Sequence, residues 1–172
     1  MRRGKVRKLT NFNPEKKSFR IYFLIFVWHF LGSFLLQSKF TSNFFRKRIL
    51  ILFGARIGKR VVIRQRFKVH FPWNLEIGED SWIGEEVWFI NHEKIKIGSN
   101  VCISQRSVIC SGGHNFRSSS LDYDHKPIEI KDGCWVCLDV KVLPGVTLGE
   151  CSVDRKSTRL NSSHANISYA VF

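Results

Sequence analysis

The sequence predicts an all-β fold, a three-sided parallel β-helix preceded by an apolar helix, on three observations. An aliphatic-glycine pair recurs every 20 residues, at Ile57-Gly58, Ile77-Gly78 and Ile97-Gly98. Six and twelve positions after each aliphatic stands another apolar residue: Ile63 and Val69, Ile83 and Phe89, Ile103 and Ile109. Four positions after an aliphatic the residue is small, as at Ser81, Val101, Ser107 and Cys134. A beat of six suits short strands whose aliphatics point inward and whose small residues fit the corners. Stacked coils would pair strand on strand at roughly 4.8 Å, and each buried Ile contributes roughly 1.5–3 kcal/mol. One coil alone cannot bury its inner face, so several must stack. Hairpin signals, or the roughly 10–15-residue helical patterns of a βαβ fold, are missing from this stretch.

The N-terminal segment, residues 1–50, is basic and then apolar. Residues 1–60 hold 15 Lys and Arg against the single acid Glu15, whereas residues 61–172 hold 13 basic and 13 acidic residues, so the formal charge of +14 is N-terminal. A nucleic-acid binder spreads basic residues over its folded face, and a near-neutral repeat argues against one. The run IYFLIFVWHFLGSFLLQ, residues 21–37, is shorter than the ~20 apolar residues of a spanning helix and contains His29, Gly32 and Ser33. Both flanks are basic, so charge selects no membrane orientation. No small-residue cleavage site follows the run, against a cleaved signal peptide. A helix lying on an anionic membrane surface is expected, with Trp28, Tyr22 and the phenylalanines in the interfacial zone. The alternative is a helix packed on the side of its own domain.

The repeat domain is placed at residues 51–153. A fourth unit follows at Ile130, Val136 and Val142, and a fifth begins at Leu148-Gly149. The step from Ile97 to Ile130 is 33, so 13 surplus residues intervene, and because Ile103 and Ile109 keep the beat they fall after Ile109. There the sequence reads ICSGGHNF. Five cysteines are too few and too evenly spread for a disulfide framework. Cys134 and Cys137 form a C-x-x-C, but in the beat they fall on different faces in small-residue slots, which reads as packing. His70, His92 and His114 are each 22 apart, out of phase with a 20-residue coil, so they are expected at different points of the perimeter and not as a zinc site. His114 stands where the chain leaves the coil, after two glycines that permit a turn or a close approach. Loops on a rigid scaffold often carry catalytic groups, and imidazole can accept and return a proton near neutral pH. By position alone a catalytic histidine and a solvated loop histidine stand level.

The stretches IGKRVVI, IGEDSWIGEEVWF, IGSNVCISQRSVI and IKDGCWVCLDVKVLPGVTLGE resemble the hexapeptide-repeat acyltransferases. FGARIGKRVVIR, FPWNLEIGEDSWIGEEVW and GHNF resemble the colanic acid biosynthesis acetyltransferases and their exopolysaccharide relatives, over about residues 45–153. The resemblance implies a left-handed β-helix and an O-acetyltransferase acting on a sugar or lipid-linked oligosaccharide, with acetyl-CoA as co-substrate and no metal. It implies that His114 removes a proton from the acceptor hydroxyl and returns one to the leaving thiolate, while backbone N–H groups hold the oxyanion. It further implies that Asn91 positions the acceptor, that Trp135 lies beside the coenzyme, and that the chain forms a homotrimer with sites between subunits. Asp122 and Asp124 are the loop carboxylates that could orient His114. A cytoplasmic protein peripheral on the inner membrane face is expected. A non-catalytic membrane-bound scaffold and a metal-dependent hydratase are the alternatives.

From Asp154 the beat stops, and DRKSTRLNSSHANISYAVF matches no part of the family pattern. Residues 154–172 resemble translated adapter sequence and are expected to be a non-native or disordered tail. Relatives continue past GVTLGE with further coil, so loss of these coils would leave the chain unstable or inactive.

Overall fold

Three short strands per turn, each burying one aliphatic, wind the chain into a parallel β-solenoid. The computed structural model describes residues 10, 12, 14, 16, 18–118 and 120–155. The basic stretch MRRGKVRK and the expected tail beyond Arg155 lie outside the described residues. One face holds β1 (Arg56–Ile57), β4 (Leu75–Ile77), β7 (Ile95–Ile97), β10 (Ile128–Ile130) and β13 (Thr147–Leu148). The second holds β2 (Val62–Ile63), β5 (Trp82–Ile83), β8 (Cys102–Ile103), β11 (Trp135–Val136) and β14 (Val153–Asp154). The third holds β3 (Lys68–Val69), β6 (Trp88–Ile90), β9 (Val108–Cys110) and β12 (Lys141–Val142). All the pairings are parallel. The sequence beat is the register: Ile77, Ile97 and Ile130 stack in line, as do Ile63, Ile83, Ile103 and Val136, and Phe89, Ile109 and Val142. The 33-residue step leaves this register intact, with Ile97 opposite Ile130.

The corners are built from residues that sequence reasoning passes over. Arg60, Asp80, Asn100 and Cys151 at the first corner, and Arg66, Glu86, Arg106 and Asp139 at the second, all have φ between +52° and +61°. A left-handed residue costs roughly 1–2 kcal/mol. Each corner offsets this by stacking: Asp80 N–H donates to the Lys59 carbonyl, Asn100 to Glu79, Glu86 to Gln65 and Arg106 to Glu85. The exposed side chains of successive corners then pair, as in Arg60 with Asp80, Arg66 with Glu86 and Arg106 with Asp139.

The third corner is where the coils depart from a strict multiple of six. Two residues beyond the hexapeptide beat enter it in the first and second coils, in the first as the turn Pro72–Asn74, and the long insertion enters it in the next. The fourth coil passes it tightly through Leu143, Pro144 and Gly145. One edge of the solenoid thus carries all the irregular backbone.

The expected boundary at residue 50 falls inside a second helix, Asn43–Leu52, which closes the open end of the first coil. Asn43 Nδ2 donates to the Val61 carbonyl and its Oδ1 accepts from Ile63 N–H, while buried Arg46 donates to the Ile63 carbonyl. These side chains satisfy strand groups that would otherwise form an exposed edge. The apolar run forms a helix, Phe19–Gln37, with a π-helical turn at Trp28–Gly32. It docks by a narrow stripe: Trp28 is fully buried, its Nε1 donates to the Val69 carbonyl at 3.0 Å, and its ring meets Phe53 edge-on. A Cβ at Gly32 would overlap the Trp28 ring, and Leu36 continues the buried stripe. Phe23, Phe26, Phe30 and Phe34, away from that stripe, are exposed.

Candidate active site

The insertion leaves the third face after Cys110 and returns at Ile128 as a hairpin standing off the third corner. Its arms are tied by Lys126 N–H to the Ser111 carbonyl, Asp124 N–H to Gly113, and Asn115 N–H to Asp122. This pairing sets His114 directly across from Tyr123. The His114 ring is exposed, beside Tyr123 at 5.2 Å and Phe12 at 5.8 Å between centroids.

His114 Nδ1 lies 2.7 Å from the Leu121 carbonyl oxygen. A carbonyl can only accept, so Nδ1 carries the proton and Nε2 of the neutral ring presents a lone pair. Leu121 itself has φ of +54°, and this left-handed backbone sets the direction of the carbonyl. The orienting group is therefore a main-chain carbonyl. Neither expected carboxylate takes that place: Asp122 accepts from the Ser118 and Ser120 hydroxyls, which hold its carboxyl below the usual range, and Asp124 pairs with Lys126.

Asn91 does not reach the surface. It is completely buried; its Nδ2 donates to the Phe71 carbonyl at 2.6 Å and its Oδ1 accepts from Phe71 N–H at 3.0 Å. This geometry makes Asn91 a brace between the first two coils at the third corner, in place of the expected contact with an acceptor. Trp135 points outward from β11, half exposed, with its Nε1 donating to Ser104 Oγ at 2.9 Å. In a three-sided section the second face lies opposite the third corner, so Trp135 and His114 are on different sides of one chain.

The histidines depart from their expected separation. The extra residues at the third corner bring His70 and His92 within 5.9 Å, and the chain returning from the hairpin stacks His125, not His114, on His92 at 4.7 Å. His125 also meets Tyr123 at 4.7 Å and accepts the Gly113 N–H on Nδ1 at 3.0 Å. Burial, helped by nearby His29, pushes the His70 imidazole below its ordinary value. Among the described residues no three His, Cys, Asp or Glu are arranged to hold a metal ion. Tyr123, His125 and Leu121 carry no signal in the repeat; the signal that finds them is the hairpin register, in which Tyr123 lies opposite His114. Cys134 is buried in its small-residue slot and Cys137 packs at the margin of the core, both as free thiols.

Comparison with known proteins finds acetyltransferases. The chain is 41% identical over 123 residues to WcaF of Escherichia coli K12, named as a colanic acid biosynthesis acetyltransferase, covering 71% of this chain and 68% of that protein. The same figures hold for WcaF of Shigella flexneri. Among solved structures it is similar to the hexapeptide-repeat acetyltransferase VCA0836 of Vibrio cholerae complexed with acetyl-CoA, at a TM-score of 0.72 and 23% identity, covering 82% of this chain and 78% of the other. A galactoside acetyltransferase in complex with coenzyme A matches at a TM-score of 0.69 and 17% identity, over 81% of this chain and 71% of the other, and both likenesses concern the fold. No protein-family profile matches the chain.

Proposed function

The chain belongs to the hexapeptide-repeat acetyltransferases of the colanic acid biosynthesis family, and from that premise we propose that it transfers an acetyl group from acetyl-CoA to a sugar hydroxyl in exopolysaccharide assembly. The observation that carries the chemistry is the bond between His114 Nδ1 and the Leu121 carbonyl, which leaves Nε2 free to act as a base. His114 Nε2 takes the acceptor hydroxyl proton as the oxygen attacks the thioester carbonyl; the new C–O bond replaces the C–S bond, and the imidazolium returns its proton to the thiolate. The coenzyme itself supplies the activated acyl group. An exposed indole pinned by Ser104 suits the flat or apolar parts of that molecule, and Trp135 is the residue assigned to hold it.

His114 and Trp135 stand on different sides of one chain, so the complete site is proposed to form between copies, in a homotrimer. The membrane reading follows from the N-terminal helix. Trp28 and Leu36 fix it along the solenoid, and a helix held that way presents its opposite, phenylalanine-rich side to the interface without crossing. The acceptor is then a lipid-linked saccharide met at the cytoplasmic face of the membrane.

Thiol release from acetyl-CoA with a sugar acceptor tests the reading. H114A should lower kcat by roughly 10²–10⁴ with unchanged thermal stability, since the ring is exposed; turnover equal to the parent would overturn the assignment. Co-sedimentation with anionic vesicles, weakened by F23E/F26E/F30E, tests the membrane surface.

A further inference from the structure

We propose that His125 is a positioning residue for the reaction, holding the hairpin backbone next to His114 only while its own imidazole is neutral; this rests on His114 being the base. His125 Nδ1 accepts the N–H of Gly113, the residue immediately before His114, at 3.0 Å. Gly113 is otherwise held through its carbonyl, which takes Asp124 N–H at 2.9 Å, and a Cβ at Gly113 would press on the Asp124 carbonyl. The position is therefore close-packed, and a shift there moves His114 directly.

An imidazole accepts at Nδ1 only with its proton on Nε2. A proton on Nδ1 sets two donors face to face and removes the bond. His125 meets His92, stacked at 4.7 Å with rings 22° apart, and Tyr123 at 4.7 Å. His92 in turn meets His70 at 5.9 Å and packs against Gly112, where a Cβ would contact its ring. Tyr123 leads to His114 at 5.2 Å. The charged residues on either side of His125 in the chain, Asp124 and Lys126, pair with each other at 3.2 Å. His125 thus does two things, fixing the Gly113 amide and bridging His92 to the Tyr123 ring beside His114.

Loss of the hold misplaces the base without touching substrate, so kcat is the parameter that should respond. In the full-length chain H125F, which keeps the ring and loses the acceptor, should lower kcat by roughly 10- to 100-fold with little change in KM for acetyl-CoA. H125N, whose Oδ1 can stand where Nδ1 does, should restore most of it. The acid limb of log kcat/KM should have a limiting slope of two in the parent, for two imidazoles that must both be neutral, and of one in H125N. Wild-type kcat in H125F, or a slope unchanged by H125N, overturns the proposal. Two readouts need no activity and so separate this failure from failure of the His114 assignment. Gly113 amide exchange should quicken about tenfold in H125F and not in H125N. Imidazole 15N shifts of the unsubstituted protein should show the Nε2–H tautomer at His125, which decides the matter if H125F does not fold; the Nδ1–H tautomer would refute it.

Discussion

The His114 ring is oriented by the carbonyl of Leu121, seven residues on, across the hairpin at 2.7 Å. Because Leu121 stands at φ +54°, the direction of that carbonyl is a property of its backbone. Leu121→Gly, which adopts positive φ without strain, should keep kcat within about threefold of the parent by the thiol-release assay. Leu121→Pro forces φ to about −65° and swings the carbonyl away. It should lower kcat by roughly 100-fold while leaving the thermal midpoint nearly unchanged, because the hairpin stands off the core.

The buried position of Asn91 predicts a stability effect in place of an affinity effect. Asn91→Ala removes the acceptor of the Phe71 N–H and one of two donors to the Phe71 carbonyl, which keeps the Asn74 N–H at 2.9 Å. Losing the partner of one buried group costs about 1–3 kcal/mol, and denaturant unfolding should show a loss of that size. The residual folded enzyme should keep the parent KM for the acceptor. A raised acceptor KM at unchanged stability would return Asn91 to the substrate site.

A site shared between copies can be tested by mixing. H114A and W135A should each be weak, the first in kcat and the second in KM for acetyl-CoA. Co-refolded together they should recover activity, since one interface in a mixed trimer pairs the intact His114 of one copy with the intact Trp135 of another. No recovery would place both residues in a site within one chain.

The coil, its register and the position of the insertion are legible in the sequence because each inward aliphatic repeats at a fixed period and parallel stacking preserves it. The corners are not legible, since Arg60, Asp80 and Arg106 look like ordinary surface charges and only their stacking reveals a left-handed backbone. The same limit governs the site. His114 is visible because it stands at the break in the beat, but Leu121, Tyr123 and His125 become its neighbours through hairpin pairing, which has no period. A 22-residue spacing laid on a uniform coil separates His70 from His92, but the two extra residues enter at the very corner that both occupy and bring the rings together.

His70 makes the fold sensitive to acid. Its burial holds the folded-state imidazole below the ordinary 6.5, so the unfolded chain binds a proton first. Its contribution is complete above pH 6.5 and is lost as pH falls from there through the lower folded value. The denaturant midpoint should therefore drop below pH 6.5. His70→Phe, which keeps contacts with Phe71 and Trp88 and cannot titrate, should flatten that drop. An identical pH dependence in the variant would remove His70 from the account.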